Sequence, residues 1–369
     1  MKFIYFSFFI IFDLTLSSTT TLSDLNLDTQ VLAQPVIEEN WEELLVAGPL
    51  AINYIGNLMI LASKCDFSLT SSSPSHVYEH IKYPNSFRMT LAQIASEIYN
   101  AFMNAHTTIE RIQSSTKQIP QHLKIILKLL KSAAPSIIQV MLPKTLDTIE
   151  RIPKDVANSA NIIIKKYESS TALLQEVIEA LADSYGVNNS VLMNMNVLVN
   201  ATKELNKMQQ QWSEIARYLS ILTIRVETSR QTVFYELMDT INNIISMNIQ
   251  LNAADRYFFV SKMLDAIIKI EQDANLLYII AKTYYDVSSA YIVSQMSDVS
   301  KLLLLQTDDE RHAAMIQLDE TLLFTSAEIS QIVLEQKQQY QQRNQEIQDE
   351  YKQFIQQMMF ENLTASIGK

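Results

Sequence analysis

From residue 154 onward, apolar side chains recur at alternating steps of three and four. This is the period of a helix that packs one face on a neighbour. One seam reads Ile163, Tyr167, Ser170, Leu174, Val177, Leu181. A second reads Trp212, Ile215, Leu219, Leu222, Val226, Ser229, Val233. A third reads Met263, Ile267, Ile270, Ala274, Leu277, Ala281, Tyr284, Ser288, Tyr291. Alternation with period two is not sustained in this stretch, so strands have no support. The stretch also lacks proline and has only Gly186 and Gly368, residue types that cost a helix interior roughly 3 and 1 kcal/mol respectively.

Few breaks interrupt the pattern. Turn formers cluster around Gly186 between Asp183 and Ser190. Thr307-Asp308-Asp309-Glu310 has the form of a capping box, and Asn252 to Asp255 offers another helix start. The spacing therefore predicts helices near 153–183, 190–250, 255–305 and 308–358. The second, at about 60 residues, would be about 90 Å long. Only a bundle or coiled coil satisfies an amphipathic face of that length. The predicted fold is all-α: an elongated bundle of long antiparallel helices with coiled-coil-like seams. At the C-terminal end the seam thins to Tyr340, Ile347 and Phe354 in a Gln/Glu/Lys-rich, solvated helix.

Upstream the helices are shorter and broken by proline. Residues 88–118 form a helix with a stripe of Leu91, Ile94, Ile98, Phe102, Ala105, Ile109 and Ile112, and His106 beside it is read as a partly buried packing residue. Residues 44–63 carry no charge, with Glu38, Glu39, Glu42 and Glu43 before them and Lys64 after. That length suits a membrane span. Asn53, Asn57, Pro49 and two glycines point instead to a helix buried on all sides in the bundle. If the segment does meet lipid, Ile52, Ile55, Leu58 and Ile60 are the contact residues. Residues 121–144 are strongly apolar, with Lys124, Lys128 and Lys131 at i, i+4, i+7 on one face. A basic amphipathic stretch in an acidic chain resembles a membrane-surface helix. The competing reading is an ordinary bundle helix with a lysine-bearing solvent face, cut by Pro135 and Pro143 into a corner between long helices.

The chain has 369 residues, is 48% apolar, and carries a net charge of −11. That charge disfavours a nucleic-acid partner, which needs a basic face. Cys65 stands alone, which excludes an internal disulfide and a cysteine-cluster metal site; it reads as a buried small residue. The 15 methionines, Met193, Met195, Met358 and Met359 among them, read as core filler.

Residues 1–18 have the form of a signal peptide, with Lys2, an apolar run from Phe3 to Phe12, and Ser17-Ser18 at the cleavage point. The expectation is a secreted, extracellular protein. Residues 19–36 form a flexible leader, 37–360 a single bundle divided into proline-broken helices (37–152) and long ones (153–360), and 361–369 a tail. Asn188, Asn200 and Asn362 head sequons, Asn188 in a predicted turn, so a glycoprotein is expected.

Catalytic signatures are scarce. His76-Val77-Tyr78-Glu79-His80 matches H-x-x-E-H, in which two histidines one turn apart hold zinc and the glutamate activates water. Its serine- and proline-rich surroundings read instead as an exposed loop or short helix. No G-x-S-x-G, P-loop, G-x-G-x-x-G or C-x-x-C occurs. No catalytic residue, metal or cofactor is assigned, and the protein is expected not to be an enzyme. The leading expectation is a binding or structural bundle whose partner is another protein or a second copy of itself. The other is membrane activity. Over 153–358 the architecture resembles the α-helical pore-forming toxins, which hide an apolar segment until they meet a bilayer. That resemblance rests on no shared motif, and here the apolar segment is N-terminal to the long helices.

Overall fold

Helices form wherever the three-and-four spacing is sustained. The computed structural model describes residues 41–64, 66–70, 78–185 and 189–367, all within the unit spanning 35–369. The segment 1–40, Cys65, His76, Val77, Gly186 and Asn188 fall outside the described residues. In chain order the helices are α1 (Trp41–Lys64), α2 (Phe87–Thr116), α3 (Ile119–Ser132), α4 (Pro135–Tyr185), α5 (Asn189–Ser229), α6 (Tyr235–Ser246), α7 (Ala253–Val287), α8 (Ser294–Val299) and α9 (Asp308–Ile367). A π-helical turn, Arg230–Phe234, joins α5 to α6; another, Ser288–Val293, joins α7 to α8; a 3-10 turn, Ser300–Leu304, follows α8. No strand occurs among the described residues.

Capping fixes the long columns. Asn252 accepts from the Asp255 N–H at 2.9 Å while Asp255 accepts from the Asn252 N–H at 3.1 Å. Thr307 and Glu310 form the same box at the start of α9, at 3.2 and 2.8 Å. Each box satisfies donors that a helix start leaves unpaired. The 60 residues of α9 then run unbroken, about 90 Å of helix.

Four columns alternate in direction: α4, then α5–α6, then α7–α8, then α9. A fifth is α2 followed by α3, antiparallel to α7. His106 on α2 meets Ser288, Thr116 lies level with Glu271, and Leu130 and Ala133 meet Arg256. The short helix α1 fills the half of the bundle opposite α3 and lies chiefly against α5 and α9.

The seams are in the core, with two informative offsets. Every residue of the first seam is buried. The second is buried through Ser229, after which Phe234 is the buried residue and Val233 only half-buried. The third is buried through Ser288, after which Ile292 takes the place expected for Tyr291. Each offset sits at a π turn. A π turn inserts one extra residue, so the inward face moves on by one position.

Another difference concerns the corner at 132–135. Pro135 starts α4, and Pro143 and Pro153 lie inside it rather than ending it. The helix predicted near 153–183 therefore begins 18 residues earlier (153 − 135). The second predicted helix ends at Ser246, not near 250. There Asn248 takes a left-handed φ of 54°, and the Ile249 N–H reaches back to the Ile244 carbonyl at 3.0 Å. This is a Schellman stop with asparagine in the glycine place.

Candidate functional site

Helix α1, uncharged from Leu44 to Ser63, is largely enclosed. Ile52, Ile55, Leu58 and Ile60 are at most 1% exposed. A helix covered over most of its surface has to be apolar over most of it, and Val46, Leu50, Tyr54, Asn57 and Leu61 form the one stripe that is only half-buried. Its glycines are where neighbours press closest: a Cβ on Gly48 would lie 2.7 Å from Ile292, and one on Gly56 would lie 2.8 Å from Leu318. Its polar groups are handed on in a chain. Asn57 donates to Asn53 at 3.0 Å, and Asn53 donates to Asp319 of α9 at 3.1 Å. Its charged ends are tied down as well, Glu43 to Lys207 at 2.8 Å, Glu42 to Ser330 at 2.5 Å and Lys64 to Asp308 at 3.7 Å. A cavity of about 160 Å³ remains between α1, α8 and α9, bordered by Pro49, Asn53, Leu302 and Leu318.

Lower in the bundle, α7 is covered by α2, α5 and α9, so even consecutive polar residues are internal. Glu271, Gln272 and Asp273 are all buried. Asp273 pairs with Arg225, and burial pushes its carboxyl up to about 6 although the guanidinium pulls the other way. Glu271 accepts from Arg343 at 3.1 Å and from the Tyr351 hydroxyl. Burial, and then the Glu271 charge, raise the Tyr351 phenol well above its ordinary range. A cavity of about 310 Å³ opens beside this cluster, bordered by Thr116, Glu271, Asn275 and Arg343. Both Glu271 oxygens have partners on α9, which ties α7 to that helix, whereas one Asp273 oxygen is buried without one.

The third feature is the end of the bundle where the α3–α4 corner, the α6–α7 loop and the last described turns of α9 meet. Arg256 donates to the Leu130 and Ala133 carbonyls at 2.9 and 2.8 Å, satisfying the end of α3. Gln139 on α4 donates to Asn242 on α6 at 2.9 Å. Lys131 pairs with Glu361 at 2.9 Å and lies 5.7 Å from the Phe354 ring.

This end carries apolar side chains on its outside. The first turns of α4 are apolar on two faces. Ile138 and Leu142 face the core, while Ile137, Val140 and Met141 are between 42% and 51% exposed. Ile137, Val140, Met141 and Lys144 are spaced i, i+3, i+4, i+7, a continuous outer stripe. In the loop, Met247 and Ile249 are more than half exposed, as is Phe258 on α7. In a Schellman stop the residue in the Ile249 place often packs against the helix it ends; here it stands largely in water.

Of the lysines read from the sequence, Lys124 and Lys128 are exposed, with Lys124 3.2 Å from Glu350. Lys131 is turned partly inward. Asn200 is exposed on α5; Asn362 lies on α9. Tyr78 to Ser86 is a loop, as read, and it is pinned to α4 because Glu176 accepts the N–H groups of Glu79, His80 and Ile81 at 2.5, 2.7 and 2.7 Å. His106 is half-buried, stacks on Tyr285 and hydrogen-bonds Ser288 at 2.8 Å. Sequence reasoning found the basic face of α3 but missed Ile137, Val140, Met141, Met247, Ile249 and Phe258. The i, i+3, i+4, i+7 spacing of the α4 stripe, beside a second stripe through Ile138 and Leu142, marks two apolar faces but not which of them the bundle covers. No family profile matches the chain, and no curated protein or solved structure is significantly similar to it.

Proposed function

We propose that the chain is a secreted, non-enzymatic helical bundle that acts by binding, and that its binding face is the end formed by the α3–α4 corner and the α6–α7 loop. The observation that carries this is the outer stripe Ile137, Val140, Met141 together with Met247, Ile249 and Phe258. Large exposed apolar side chains gathered on a fold mark an interaction site; Leu304, Leu323 and Phe324 are exposed as well, but without the stripe spacing of Ile137, Val140 and Met141. The catalytic reading has less support: Glu271 is occupied by Arg343 and Tyr351, and the unpartnered Asp273 oxygen is buried beside Arg225.

The test is a variant in which Met247, Ile249 and Phe258 become serine. These side chains are largely in water, so helicity and melting temperature are expected to stay near those of the parent. Association, whether with a second copy in sedimentation or with a lipid surface in vesicle pelleting, is expected to fall. Association that persists unchanged in a folded variant overturns the assignment of this face.

A second reading is favoured by α1. It is the one helix among the described residues long and apolar enough to cross a membrane. Under that reading α1 is stored in the core and released at a bilayer.

A further inference from the structure

The binding end carries a chemical bias that selects its partner, and we infer that it docks on an anionic lipid surface. The inference rests on the binding-end reading above. Between 121 and 144 the chain has four lysines, Lys124, Lys128, Lys131 and Lys144, and no acidic residue, in a protein of net charge −11. Lys128 and Lys144 are exposed on the two helices that meet at the corner. Ile125, 42% exposed, lies between Lys124 and Lys128 on the outer face of α3, and Lys144 closes the outer stripe of α4. Lys124 and Lys131 pair with Glu350 and Glu361 of α9, so the charges offered beside the exposed aliphatic side chains are those of Lys128 and Lys144.

That mixture distinguishes lipid from protein. Lysine is the part that discriminates: protein interfaces are depleted of it, while the Met and Phe found here are enriched in them along with Tyr, Trp and Arg. The arginine at this end, Arg256, is occupied with the carbonyls of Leu130 and Ala133. Surface-lying membrane segments instead combine lysine on a polar side with Phe and aliphatic residues that enter the headgroup region. Long lysine stems can lie along the apolar side chains and keep their ammonium groups at the phosphate level. The protruding Met247, Ile249 and Phe258 belong to a loop and a helix start, segments that can enter to side-chain depth without unfolding a column.

The experiment uses the purified chain and vesicles of phosphatidylcholine, with and without phosphatidylserine. Three variants are compared: K128Q/K144Q, I137S/V140S/M141S and M247S/I249S/F258S, each checked for helicity and melting temperature. The parent is expected to pellet with the anionic vesicles and to leave them as salt rises. At about 1 kcal/mol for each lysine near an anionic surface, K128Q/K144Q is expected to weaken binding about thirtyfold. Each serine variant is expected to lose binding at any lipid charge, and an Ile249→Trp reporter is expected to shift to the blue on anionic vesicles.

No pelleting of the parent with anionic vesicles at low salt overturns the lipid assignment. If sedimentation then shows self-association that M247S/I249S/F258S removes, the binding-end reading stands with a second copy as partner. If neither vesicles nor self-association are seen, both fail. Vesicle binding that is untouched by all three folded variants also overturns the inference.

Discussion

Asp273 illustrates what enclosure on all sides does to a charged side chain. Its partner Arg225 lies beside it, yet one carboxylate oxygen has no hydrogen-bond partner, and burial holds the pKa near 6. The folded value lies above the ordinary 3.8, so the folded chain holds this proton more tightly than the unfolded chain. The stabilisation from that proton is full below the unfolded value and is lost as pH rises through about 6. Asp273 is therefore expected to make the bundle less stable at pH 7 than at pH 5, other groups being equal. Urea midpoints for the parent and Asp273→Asn across that window test this. A difference between the two that is flat, or that widens with the opposite sign, refutes it. Tyr351 gives a simpler case. Its hydroxyl is the partner of one buried Glu271 oxygen, so Tyr351→Phe is expected to cost about 1–3 kcal/mol, read from the same urea curves. Neither partner pair was legible in the sequence. Glu271-Gln272-Asp273 reads as part of a solvated face, because the seam of α7 locates its inward side and says nothing about how many columns surround it.

At the scale of the element, the apolar period places the long helices well and fails at defined physical points. The seams run true until Arg230–Phe234 and Ser288–Val293, where a π turn advances the inward face by one residue. Nothing in the spacing announces such a turn, because either neighbouring residue is apolar enough to serve. Val233 stands beside Phe234, and Tyr291 beside Ile292. Prolines misled for a related reason: Pro143 and Pro153 cost helix stability locally, and the packing of α4 against α5 outweighs that cost. In α1 the glycines have a clear role as seats for Ile292 and Leu318. Gly56→Ala is expected to be nearly neutral. The Leu318 methyl can move, and the gain in helix propensity is at most about 1 kcal/mol. Gly56→Leu has no such room and is expected to cost about 1–3 kcal/mol by overpacking. Thermal melts of the two variants give the comparison, and equal melting temperatures would show that α9 does not press on α1 there.

For the molecule as a whole, the all-α bundle could be read from the chain, and the exposed end could not. Ile137, Val140 and Met141 are chemically the same as Ile138 and Leu142, and only the arrangement of columns decides which stripe is covered. The same arrangement frames the question of α1. It is joined to the cover helix α9 at mid-length through Asn53 and Asp319, 3.1 Å apart. Entry of α1 into a bilayer requires that contact to open, whereas docking through the far end of the bundle does not. Asn53→Cys with Asp319→Cys, in a Cys65→Ser background, allows the two helices to be joined by oxidation or a short bis-thiol reagent. If α1 inserts, the joined protein is expected to bind anionic vesicles normally and release no trapped dye, and reduction is expected to restore leakage. Equal leakage in the joined and reduced states would mean that α1 stays in the core while membranes are permeabilised by some other route. Binding without leakage in either state, and in the parent, would leave α1 as the core helix of a docking protein.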